Sequence, residues 1–95
     1  MRIPGRIKVG GVPFEIILRN GTNGESTSYG SCNAGAQKIW VSEAVGRQQQ
    51  ETTLVHEVLE AINTLYELGL EHTQISCLET ALYAFIVDNP EVFKK

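Results

Sequence analysis

The C-terminal half of the chain reads as two helices joined by a short loop, and this leaves few folds open. From about Gln48 to Leu68 the apolar residues recur with the helical period. Leu54, Val55, Val58, Leu59, Ala61, Ile62, Leu65 and Tyr66 fill one broad arc of the helical wheel. Gly69 is placed to be the C′ residue, and Leu70 to make the apolar contact that accompanies such a cap. A second helix is predicted from about Thr73 to Val87, with Ile75, Leu78, Leu82, Phe85 and Ile86 on its apolar face. Asn89-Pro90 ends it, because the residue before a proline is driven out of the helical region. So short a connection makes the two helices antiparallel neighbours.

Before Gly46 the pattern changes to strands and turns. Ile7 to Val9 and Pro13 to Leu18 flank Gly10-Gly11, which suits a tight hairpin because glycine tolerates positive φ. Asn20 to Gly24 reads as a longer turn, Ser26 to Cys32 as a weakly alternating third strand, and Asn33 to Ala36 as another turn. Lys38 to Ser42 is a short fourth strand, rich in β-branched and aromatic residues. Pro13 places the start of its strand at an edge or near a bulge, since proline donates no ladder hydrogen bond. The expected fold class is α+β: a small antiparallel sheet of three to four strands, over residues 6–42, then two packed antiparallel helices, about 48–68 and 73–87. Trp40 and Tyr66 are expected in the core.

Ninety-five residues, 42% of them apolar, suit one domain spanning 1–95 with a single core. The formal net charge is -3, and the only basic grouping is Arg2, Arg6 and Lys8, so no nucleic-acid partner is expected. No apolar run approaches the roughly 18 to 20 residues that cross a bilayer, and the first residues lack the apolar core of a signal peptide. A cytosolic protein without a membrane partner is therefore expected. Cys32 and Cys77 are too few for a disulfide framework and read as reduced thiols, one in a strand and one in a helix.

The chemistry-bearing feature is His56-Glu57-Val58-Leu59-Glu60. It reads HExxE, one residue from the HExxH signature of zinc peptidases. In that signature two histidines one helical turn apart bind zinc, and the adjacent glutamate takes the proton of the attacking water. His56 and Glu60, at i and i+4, share a helix face that Asn63 and Glu67 continue. That stripe lies roughly opposite the apolar arc, a position more often occupied by solvated residues. Glu57 is rotated about 100° from His56, so it stands beside a metal rather than on it, as a general base should. The second helix offers His72, just past the Gly69 turn, and Glu79, at the margin of the apolar face. Either could complete a three-ligand site for zinc or another divalent ion. A glutamate in place of the second histidine adds negative charge and hardens the donor set, which loosens the preference for zinc and weakens water activation.

Thr53 to Ile62, TLVHEVLEAI, resembles the T-L-x-H-E-x-x-H-A-I active helix of zincin-like metallopeptidases. The likeness is strongest to small phage and prophage proteins, which share a Q-K-I-x-V strand before the helix (Gln37 to Val41) and an ending like Leu82-Tyr83 followed by Asp88-Asn89-Pro90. The resemblance implies a minimal zincin fold, His56 as first metal ligand, Glu57 as catalytic glutamate, and Glu60 in the second ligand position. It implies a peptide or protein substrate and, for a phage-encoded protein, the host cytosol. Two functional readings stand open. One is a metal-dependent hydrolase. The other is a degenerate zincin scaffold that binds metal for structure or not at all, and serves as a non-enzymatic accessory or oligomeric interaction protein.

Overall fold

A computed structural model describes residues 3–20 and 29–93 of the chain. Four strands come first: β1 (Arg6–Val9), β2 (Val12–Arg19), β3 (Gly30–Asn33) and β4 (Lys38–Ser42). Two helices follow, α1 (Arg47–Leu65) and α2 (His72–Asp88), and a 3₁₀ turn at Pro90–Val92 closes the chain. This is the expected α+β order of a small sheet and two helices. The turn predicted at Asn20 to Gly24 lies outside the described residues from Gly21 on, as does the Ser26 to Ser28 part of the third strand.

The sheet is mixed, where the chain order suggested an antiparallel one. Its strand order is β1-β2-β4-β3, and β2 pairs with β4 in parallel, with Ile16 beside Ile39 and Leu18 beside Val41. Burial explains the order. Ile39 and Val41 are fully enclosed, whereas β3 carries Ser31 and Asn33. The apolar strand takes the inner position, and among the described residues the polar one lies at the edge. β1 and β2 meet through the expected two-residue turn, with φ of 57° at Gly10 and 80° at Gly11, the left-handed pair that such hairpins require. Pro13 sits in an interior strand, but before the β2–β4 ladder begins at Glu15, so its missing N–H costs no pairing.

Helix α1 is the hub. Leu54 and Ala61 enter the sheet core with Phe14, Ile16, Ile39 and Val41, while Val55 and Leu59 pack on Ile75 of α2. Burying each of these aliphatic side chains stabilises the fold by about 1.5 to 3 kcal/mol. The two helices are also joined by a polar contact. The buried Glu51 accepts from Tyr83 Oη at 2.8 Å and from Arg47 Nε at 3.2 Å. Trp40 and Tyr66 are not core residues. Trp40 is half-buried with the Arg19 guanidinium 5.2 Å over its ring, and Tyr66 is exposed, its ring lying against Gly10.

α1 ends at Leu65, three residues earlier than its apolar pattern suggested. The N–H of Leu68 bonds the Asn63 carbonyl at 3.1 Å and that of Glu67 the Thr64 carbonyl at 3.4 Å, the two bonds of a Schellman cap. The C′ residue is thus Glu67, held at φ 51°, and not Gly69, which takes its own positive φ two residues later. A Cβ at such a position is strained. Glu67→Gly should therefore raise the unfolding free energy by about 1 kcal/mol, measured by urea denaturation; an unchanged or lower midpoint would contradict this account of the cap.

Candidate metal centre

Three elements converge on His56. α1 contributes His56, Glu57 and Glu60, α2 contributes His72 at its start and Glu79 two turns on, and β3 closes the third side. The loop between the helices is what brings His72 home. Asn63 donates its amide to the Leu70 carbonyl at 3.2 Å and accepts from the Leu70 N–H at 2.8 Å. Gln74 Oε1 then accepts from the Glu71 N–H at 2.8 Å, which steadies the first turn of α2. α2 begins at His72 itself, one residue before the expected start.

The imidazole of His56 is held at both nitrogens. Nδ1 lies 2.8 Å from Glu79 Oε1, and Nε2 lies 3.3 Å from Glu60 Oε2. The His72 ring stands 5.3 Å from the His56 ring, centroid to centroid. One donor atom from each of His56, Glu60 and His72 falls within a mutual 4.8 Å, so this group could hold a metal ion. Two ligand atoms on a tetrahedral zinc sit about 3.3 Å apart, given metal–ligand bonds of about 2.0 to 2.1 Å. The His56–Glu60 spacing already has that value. Glu79, one of the two candidates for third ligand, is not in the group; it grips the far nitrogen of His56. His72 is the candidate brought to the ligand side.

The stripe on α1 is covered at its His56 end and solvated at its far end, where Glu67 is exposed. The His56 side chain keeps 15% of its exposure and Glu57 only 7%. β3 and the first turns of α2 cover them. Of the other two stripe residues, Asn63 serves the interhelical loop and Glu67 the cap.

Glu57 is pushed up from 4.5 to about 7, first by burial and then by the neighbouring Glu60 and Glu79 carboxylates, with His56 opposing. Cys32, which lines the same space, is raised from 9.0 to about 11 by burial and by Glu57 and Glu60. It is a free thiol, as is Cys77, and it stays protonated at neutral pH.

Two hollows of about 360 and 290 Å³ meet at Gly30, His56, Glu57 and His72. The first extends past Glu60 along Ser31, Cys32 and Ala34; the second passes Glu79 toward Tyr29, Thr53 and Ser76. Together they form an open cleft beside the edge strand β3. Ser31 Oγ is buried in its wall and has no hydrogen-bond partner among the described residues. Among the described residues, neither hollow is lined by a lysine or arginine.

Gly30 was not singled out by its sequence pattern. A Cβ there would stand 2.4 Å from Thr53 Cγ2, 2.9 Å from the Trp40 carbonyl and 3.2 Å from Glu57 Oε2. Only glycine lets β3 press this closely on α1, and an isolated glycine within a strand is the signal that could have marked it.

No protein-family model matches the chain, and comparisons with curated proteins and with solved structures returned no match either. Among the described residues, no helix is long and apolar enough to cross a membrane.

Two outcomes are expected from this geometry. In metal-free protein the folded state holds the Glu57 proton more tightly than the unfolded chain does. Its contribution to stability is therefore complete below about pH 4.5 and is lost as pH rises through about 7. Urea titrations across this range should show that decline in the wild type and a flatter profile in Glu57→Gln; equal slopes would refute it. Gly30→Ala should cost about 1 to 3 kcal/mol by overpacking β3 against α1, read from the same denaturation curves.

Proposed function

We propose that the chain is a zincin-related, metallopeptidase-like protein of the phage and prophage type, in which His56, Glu60 and His72 bind a divalent ion, zinc in the first instance. The observation that carries this reading is the double grip on His56. Nδ1 pairs with Glu79 Oε1, and Nε2 stands 3.3 Å from Glu60 Oε2, a contact that a proton or a metal ion on Nε2 would satisfy. His72 adds a third donor atom, and the three lie within 4.8 Å of one another. The wider electrostatics agree: three carboxylates and two imidazoles surround a cleft that no lysine or arginine lines among the described residues. Buried carboxylates without a counter-ion are costly, and Glu57 registers that cost in its raised pKa.

Two imidazoles and one carboxylate form a donor set used by catalytic zinc sites, with a fourth position open to water or substrate. On this reading Glu60 does not impoverish the set, because His72 supplies the second imidazole. The ion would lower the pKa of water and polarise a carbonyl. Glu79 fixes the tautomer and orientation of His56. Glu57, beside the ligands and not among them, takes the proton from water, and a nearby dication would bring its pKa down from the metal-free value.

Purified protein should take up one zinc ion per chain in calorimetry. His72→Ala and Glu60→Ala should each abolish stoichiometric uptake, and Glu79→Ala should weaken it by about 10 to 100-fold. Glu57→Gln should keep the metal and lose cleavage of an unstructured peptide mixture, by about 100-fold or more. Absence of metal uptake would overturn the proposal. Uptake without cleavage by the wild type would favour the non-enzymatic alternative, a metal-binding accessory protein.

A further inference from the structure

Away from the metal centre, α2 poses a packing problem. Residues 80–87, TALYAFIV, carry no charge, yet the only buried residue of the helix is Ile75. A helix apolar on most sides is normally enclosed. Here Leu82 is 39% exposed and Phe85 47%, and Phe93, edge-on to Phe85 at 5.9 Å, is 55% exposed. Beside them runs a groove of about 890 Å³ between α1, α2 and β1, walled by Val58, Ile62, Leu82, Phe85 and Phe93. Its single charged lining residue is Lys8.

We infer that this face binds a second copy of the chain in a two-fold dimer, with α2 packed antiparallel on α2. Three observations point to a second copy. First, the patch is self-complementary. The exposed stripe Leu78, Leu82 and Phe85 has the four-then-three spacing of a helix-pairing seam, and the groove it would enter lies on the same surface, as a two-fold interface demands. Ala81, exposed on the flank of this stripe, allows close approach. Second, the area is adequate. Leu78, Leu82, Phe85, Val92 and Phe93 leave on the order of 400 Å² of apolar surface in solvent. The groove walls extend this toward the roughly 800 Å² per partner of a stable interface. Third, charge is compatible. Antiparallel pairing about Leu82 brings Asp88 of one copy toward the positive, N-terminal half of the other α2, and sets no like charges opposite along the uncharged stretch.

Sedimentation of the full chain from about 1 to 100 µM should show a reversible dimer. Leu82→Lys should raise its dissociation constant by about thirty-fold or more, as loss of a central apolar contact does, with the circular-dichroism spectrum preserved. Phe85→Ser, a milder change at a more exposed site, should act in the same direction should Leu82→Lys fail to fold. Dilution of wild-type protein should move the methyl resonances of Leu78 and Leu82 and leave those of the sheet core in place. A wild type that remains monomeric throughout this range overturns the inference. So does a dimer insensitive to both substitutions, which would lie on a sheet edge. Native mass spectrometry that finds the groove filled by a small apolar molecule or another protein overturns it too.

Discussion

The burial of α1 is the constraint on which the rest depends. The sheet core takes Leu54 and Ala61, α2 takes Val55 and Leu59, and β3 lies over Thr53 and Glu57. A helix enclosed on so many sides cannot keep all its polar residues in water, and two of its carboxylates are buried. They meet that cost differently. Glu51 is satisfied by Arg47 and by the Tyr83 hydroxyl, and in being so it ties the helices together. Glu57 is raised chiefly by burial, against which the neighbouring His56 acts only in part, so it resists ionisation. The first carboxylate is architecture; the second sits at the meeting point of the cleft.

The candidate centre draws on non-adjacent elements, and its precision rests on residues without metal chemistry of their own. Asn63 fastens the interhelical loop through Leu70, so that α2 starts with His72 against His56. Gly30 lets the edge strand approach Glu57 closely enough to bury it. Glu79 holds the outer nitrogen of His56, leaving the other for Glu60 and His72. In the proposed reading these three positioning residues govern affinity and orientation, while the chemistry falls to the ligands and Glu57.

Element order and most boundaries were legible because each depends on local period and turn chemistry. The Gly10-Gly11 hairpin, the strand at Lys38 to Ser42, and the two helices follow from neighbours within a few residues. The parallel β2–β4 pairing was not legible, since it depends on which strand buries more apolar surface once all four compete for the inner positions. Nor was the end of α1: apolar periodicity carries on through Tyr66, but Asn63 and Thr64 accept from the Leu68 and Glu67 amides and turn the chain. Tyr66 and Trp40 look like core residues by type, yet one covers a glycine turn and the other supports an arginine. In α2 the period correctly marked an apolar face, but it could not say whether this chain or another surface covers it.

The sequence by itself determined the sheet-then-helices order, the shared face of His56 and Glu60, and the sideways placement of Glu57, because helical geometry sets all three over one turn. It narrowed the third position to His72 or Glu79 and could go no further, because both sit on one side of α2. Only the tertiary structure separated them. The approach of α2 sets Glu79 against Nδ1 of His56 and brings His72 within reach of both His56 and Glu60, through the interhelical loop and the packing of Ile75 on Val55 and Leu59. Burial of the motif was likewise a tertiary outcome. A stripe opposite the apolar arc is wet or dry according to what else the chain folds over it, and here β3 and α2 enclose its His56 end while Glu67 stays exposed.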